Sequence, residues 1–329
     1  MRDLDSKNSN SGIIERYARI LVPIAVVFGA TSGPIAKSVT APAIAIGFWR
    51  LTMSLPFFGL PLLINPLIEK WKLQKRVAEN RDGAIDEAEA PVPVMQHRSR
   101  DIAITALAGV FLCAHFICWF QAVKTTNISS ASVLATLHPL VVLAISILIY
   151  QKRIAGKAIF GILLALSGAV ITAGFDYKAL ANSYIIGDIF ALGAALFMGL
   201  YFAIGERVRT RMPGNKYVFI LFFFCWLSFL ATMIISGTAF AGYPIRDYLL
   251  IFLMAVLCQV CSHAVFNLCL GKVDSVYVSA WETCDPVFGI LMAFITLGQV
   301  PTLWSIIGCV IVIIGLTIYN SSSLHNDPE

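Results

Sequence analysis

The chain has 329 residues, 58% hydrophobic and 13% charged, with a formal net charge of +5 and a mean hydropathy of +0.80. The charged share is about half that of a soluble domain, which excludes a water-soluble enzyme or binding module. A basic surplus that would point to nucleic acid in a soluble protein reads here as loop charge, to be assigned to one side of a membrane. Apolar runs of about 20 residues recur, the length a helix needs to cross a ~30 Å hydrocarbon core, and the alternation of a membrane barrel is absent.

In chain order, residues 1–19 read as a polar cytoplasmic tail, without the short apolar core and cleavage site of a signal peptide. Spans are expected at 20–36 and 43–64, the second carrying Arg50. The stretch 65–100 mixes seven Lys and Arg with a run of acids and prolines, and is expected to be a flexible cytoplasmic connector. Spans three to five follow at 102–123, 128–150 and 155–174. Spans six to ten are expected at 184–205, 217–237, 248–270, 276–297 and 302–319, with 321–329 as a second cytoplasmic tail. Ten crossings leave both termini on one side. That side carries 19 of the 24 Lys and Arg against four on the other, so the positive-inside rule makes it cytoplasmic. The expected setting is the plasma membrane, or the inner membrane of a bacterium. All eight cysteines fall in apolar runs and read as small hydrophobes, Cys258 and Cys261 included.

The two halves repeat one another. Aligned with one residue of gap, His115 falls with His263, Lys124 with Lys272, and Pro139 with Pro286. Gly161 and Gly308 each lie 22 residues past the proline, and Gly168 and Gly315 each lie 29 past it. Gly29 precedes Lys37 by eight, as Gly199 precedes Arg207. Five spans per half force the second half to enter the membrane from the opposite face. The expected fold is therefore an all-α integral membrane protein of ten transmembrane helices, built as two inverted five-helix repeats at 20–174 and 184–320. Such an arrangement moves solutes by alternating access around a site at mid-depth.

In these residues the chain resembles the EamA-type drug/metabolite transporters over about 22–319. The resemblance is carried by FGATSGPIAK ending at Lys37, FWRLTM around Arg50, and AVKTTNISSASVLATLHP. It continues in GDIFALGAALFMGLYFAIGERV from Gly187 and in GKVDSVYVSAWETCDPVFGILMAFITLGQ. It implies a ten-helix fold of two repeats and the transport of amino acids, nucleotide-like metabolites or other small organic solutes.

The candidate site centres on VSAWETCDP at 278–286, where Glu282 and Asp285 stand inside an apolar run. Carboxylates there are expensive and functional by default. Three residues apart, they share a helix face, and Pro286 removes a backbone donor beside them, so a kink is expected near mid-span. His138, which precedes the matching proline of the first half, falls at the same depth. Arg50 stands alone in its span and wants a carboxylate partner or an anionic solute. His115 with Trp119, and His263 with Asn267, are four apart on one face each. Tyr201, Tyr277 and Trp281 offer rings for stacking.

The expected mechanism holds the solute between spans two, three, four, eight and nine. Arg50 is offered to a carboxylate and Asp285 or Glu282 to an ammonium group, which suits an amino acid or related zwitterion. Proton coupling through the carboxylates and histidines stands beside facilitated exchange. No H-E-x-x-H, G-x-S-x-G or phosphate-loop sequence occurs and the carboxylates lack metal-ligand spacing, so neither an enzyme, a cofactor nor a metal is expected. The expected partners are a small-molecule solute, the lipid bilayer and protons, with no nucleic acid. An exporter of nucleotide-like or cationic solutes, a channel and a membrane sensor are the rival readings, and oligomeric state is left open because every helix face is apolar.

Overall fold

The computed structural model describes residues 9–79, 99–126, 128–172, 185–289, 291 and 303–323. All the named elements are helical: α1 (Ser9–Gly29), α2 (Ser32–Ser38), α3 (Ala43–Glu79), α4 (Ser99–Thr125), α5 (Ile128–Ala135), α6 (His138–Leu148) and α7 (Gly156–Thr172) make the first half. The second half consists of α8 (Ile185–Arg209), α9 (Gly214–Ser236), α10 (Ile245–Met254), a π-helical stretch (Ala255–His263), α11 (Ala264–Cys269), α12 (Ser275–Glu282) and α13 (Leu303–Ser323). Six stretches are long and apolar enough to cross a membrane: Tyr17–Ser38, Ala43–Ile68, Ser99–Thr125, Ile185–Arg209, Gly214–Ser236 and Ile245–Cys269. They match the expected spans one to three and six to eight. His138–Leu148, Gly156–Ile171 and Ile306–Ser322 are apolar but shorter.

The differences from expectation have local causes. The fourth span is not one helix: α5 ends at Ala135, Thr136 and Leu137 form a turn, and α6 starts at His138 with Pro139 in its first turn. The ninth behaves the same way. There α12 ends at Glu282, Thr283 and Cys284 turn, and the helix resumes at Asp285 ahead of Pro286. A proline has no N–H to continue the preceding ladder but suits a helix start, so each apolar run is cut where its proline falls. The first span is cut as well, at Ala30 and Thr31, where the Thr31 hydroxyl donates to Phe28 O at 2.7 Å and satisfies a carbonyl that the break releases. At the other end of that helix, α1 begins at Ser9, inside the expected tail. Likewise α3 runs on to Glu79, so the first part of the expected connector is helical. Residues 80–98 of the connector, the end of the ninth span and the tail from 324 lie outside the described residues.

Packing joins helices across the two halves. α1 lies on the π-helical stretch and α11, α4 on α8, α3 on α9, α7 on α13, and α6 on α12. The closest approach is between α7 and α13. A Cβ on Gly161 would sit 2.7 Å from Gly315 O, and one on Gly168 would sit 2.9 Å from Gly308 O, so these backbones meet without side chains between them. Outward faces remain apolar, with Leu148, Phe160, Ile234 and Ile235 exposed, while Arg50, His115, His138, Gln259, His263, Asn267 and Glu282 are buried. Polar groups inside and hydrocarbon outside is the arrangement a bilayer selects.

Candidate functional site

The broken helices meet at a cavity of about 80 Å³. His115, Phe116 and Trp119 reach it from α4, His138 from the start of α6, and Ser262, His263 and Phe266 from the π-helical stretch and α11. Glu282 and Asp285 flank the break after α12, and Gly29 and Ser32 flank the break between α1 and α2. Cutting a helix within the bundle frees backbone groups from their ladder and turns side chains at the cut into the interior, which explains why three interrupted runs converge on one polar spot.

His138 Nε2 lies 2.9 Å from Glu282 Oε2, an ion-pair distance off the line of an ideal hydrogen bond. Its Nδ1 is 3.0 Å from Ala135 O, and a carbonyl can only accept, so the Nδ1 proton is fixed there and Nε2 faces Glu282. A single further proton can then sit on Nε2 or on the carboxylate. Asp285 lines the same cavity. His115 is held in the same way, with Nδ1 2.9 Å from Ala194 O, and its ring lies 6.2 Å from that of His263. The Tyr201 hydroxyl stands 3.4 Å from His263 Nδ1, and Asn267 Nδ2 donates to His263 O at 2.7 Å while its Oδ1 is unbonded. Trp119 Nε1 donates to Ser32 Oγ at 3.3 Å.

Of the residues expected at the site, the structure brings His115, Trp119, His138, His263, Glu282 and Asp285 onto the cavity wall. Tyr201 and Asn267 stand behind His263. Tyr277 turns elsewhere: its hydroxyl donates to Arg19 O at 2.9 Å, and Trp281 packs on its ring at a centroid distance of 6.4 Å, with an unbonded indole N–H. Arg50 is also off the cavity wall, its guanidinium 4.4 Å from the centre of the Phe116 ring. Span two, expected on the wall, stands behind Phe116 instead. Spans one and six take its place through Gly29, Ser32 and Met198. Ser32 was visible within FGATSGPIAK, where two glycines and a proline surround it, but Phe116 carries no local signal that sets it apart from neighbouring rings.

Two polar ties close the ends of the bundle. At one end Asp247 Oδ2 accepts from Thr40 N at 3.0 Å, Thr40 Oγ1 at 2.7 Å and Ala41 N at 2.8 Å, and Lys124 Nζ donates to Val39 O at 2.8 Å. At the opposite end Glu206 Oε2 accepts from Ser275 N at 3.1 Å and Ser275 Oγ at 2.6 Å, while Lys152 pairs with its other oxygen. Glu206 thus holds the start of α12, which leads to Glu282.

Comparison with known proteins bears on the family and the fold. A protein of Clostridium kluyveri described as an uncharacterized transporter is 27% identical over 235 residues, covering 69% of this chain and 75% of that one. Another from Archaeoglobus fulgidus, also described as an uncharacterized transporter, is 21% identical over 257 residues, covering 78% and 83%. One solved crystal structure superposes with a TM-score of 0.64 over 92% of this chain and 98% of that one at 16% identity, a likeness of fold alone. The profile of the EamA-like transporter family matches twice, at residues 16–174 and 185–321, once on each side of the sequence duplication. With helices apolar outside, polar inside and matched by that profile over nearly their whole length, this multi-pass membrane chain belongs to the EamA-like transporter family.

Proposed function

We propose that the chain is a secondary carrier in which two inverted repeats rock about the His138–Glu282–Asp285 cavity, moving a small amine-bearing solute, an amino acid or related zwitterion, across the membrane. The observation that carries this reading is the 2.9 Å approach of His138, from the first half, to Glu282, from the second, at matching helix breaks. A site shared by two halves changes shape when the halves rotate. The duplicated glycines support the two-fold arrangement, since Gly161 meets Gly315 and Gly168 meets Gly308, each contact exchanging first-half and second-half members of the matched sets. The cross-half packing of α1 with the π-helical stretch and of α8 with α4 exchanges in the same manner.

In the proposed cycle the ammonium group of the solute takes the place of the His138 proton beside Glu282, with Asp285 as the second anion. Proton release then accompanies solute entry, and the reverse accompanies release on the other side. The ten crossings counted from the sequence and the excess of Lys and Arg on one side support a carrier with both termini in the cytoplasm and the Asp247 tie at the outer end. A purely cationic solute is the second reading. It is favoured by one observation: both charged groups on the wall are carboxylates, while Arg50 stands behind Phe116.

Counterflow in proteoliposomes tests the proposal, with labelled amino acids or amines outside, unlabelled solute inside, and a pH gradient imposed or absent. Accumulation that falls at least tenfold in Asp285→Asn is expected. Flux and pH dependence unchanged in that variant would sink the site assignment.

A further inference from the structure

Arg50 is fully buried, and none of its three guanidinium nitrogens has a hydrogen-bond partner. No carboxylate pairs with it among the described residues. An unpaired guanidinium inside a span is among the most costly side chains a membrane protein can carry. What it has instead is the face of Phe116 at 4.4 Å and, farther off, Phe120 at 5.9 Å. The Phe116 ring also lines the cavity and meets the His263 ring edge-on at 4.9 Å. One aromatic ring therefore separates an unsatisfied cation from a cavity whose other charged groups are Glu282 and Asp285.

We propose that Phe116 is a movable shutter over a carboxylate-binding site at Arg50, and that the transported solute is a zwitterion whose carboxylate reaches Arg50 when this ring turns aside. The inference rests on the carrier reading above and, of its two substrate readings, selects the zwitterion over a purely cationic solute. The ring face holds the guanidinium by cation–π attraction while the cavity is empty. A carboxylate offers a stronger, two-pronged partner, so a solute that brings one displaces the ring, and a plain amine leaves the ring in place. Recognition of the second charge then follows the seating of the first at Glu282 and Asp285. Phe116 becomes the residue that decides specificity, acting by exclusion as much as by contact.

Three probes that differ only in their charged ends separate the outcomes: L-phenylalanine, phenethylamine and 3-phenylpropionate. Binding is read from tryptophan fluorescence of the purified full chain in detergent, with Trp119 on the cavity wall as the reporter. Wild type is expected to hold L-phenylalanine about tenfold or more tighter than phenethylamine. Arg50→Gln is expected to bring that ratio to about one while phenethylamine binding persists. Phe116→Ala, which removes the shutter, is expected to tighten 3-phenylpropionate about tenfold, and Phe116→Trp, a bulkier cover, to weaken L-phenylalanine alone. A ratio that survives Arg50→Gln, or 3-phenylpropionate binding that ignores both Phe116 variants, overturns the inference. The same proteins in counterflow keep the two readings apart: the expected binding pattern without counterflow would end the carrier reading and leave the Arg50 site standing.

Discussion

Replacing Gly315 by Ala tests the contact that joins the two halves most tightly. A Cβ there would lie 2.4 Å from Ala165 N and 2.7 Å from Gly161 O, both backbone atoms of α7 that no rotamer can move aside. Restoring an ordinary contact requires α7 and α13 to part by about 1 Å, which forfeits much of their dispersion attraction. Overpacking of this kind costs about 1–3 kcal/mol, partly offset by the advantage of about 1 kcal/mol that Ala has over Gly in a helix. Because both clashing atoms are backbone, the overpacking falls at the upper end of that range, and the expected net loss is about 2 kcal/mol, a factor of about 30 in the folded ratio. The assay is unfolding in mixed micelles as dodecyl sulfate is raised, followed by circular dichroism. Gly156→Ala is the control, because nothing lies within 4 Å of a Cβ at that position. The reasoning is refuted if Gly315→Ala unfolds at or above the wild-type midpoint, or if Gly156→Ala loses as much.

Other substitutions address the chemistry and the ends of the bundle. Glu282→Gln keeps the shape beside His138 but removes the charge, so counterflow is expected to fall at least tenfold and to lose its response to an imposed pH gradient; an unaltered pH response would show that the shared proton lies elsewhere. Asp247→Ala leaves Thr40 N, Thr40 Oγ1 and Ala41 N without their acceptor. It is expected to loosen that end of the bundle, which a cysteine placed at Ser38 would report as faster labelling by a water-soluble maleimide. Equal labelling with and without the substitution would show that this tie does not hold the end shut.

Much of this architecture was legible in the residue order, for reasons that are local. Pro139 and Pro286 mark helix breaks because the missing N–H acts at the proline itself, and the depth they share follows from counting rise per residue. The glycines at 161, 168, 308 and 315 were legible as a spacing, and the structure supplies the partner each one meets. The two-residue turn that cuts the fourth span was not legible, because hydropathy averages over a window; in the ninth the kink expected at Pro286 is a turn of the same length. Arg50 was singled out correctly as an isolated charge, yet its place behind Phe116 depends on packing between residues 66 positions apart. No periodicity within α3 encodes that. The place of Tyr277 off the cavity wall is illegible for a similar reason: its hydroxyl donates to the Arg19 carbonyl on α1, far away in the chain.

The π-helical stretch Ala255–His263 has a consequence for energetics. Its counterpart by duplication, α4, is regular α-helix from Ser99 to Thr125. Gln259, fully buried within the stretch, has neither its amide nitrogen nor its oxygen bonded. Two repeats that were alike in every respect would give the outward- and inward-facing shapes equal weight. In the carrier proposed above, an irregular turn in one of them would make the two shapes inequivalent and would bias the resting state toward one side of the membrane before any solute or gradient acts on it.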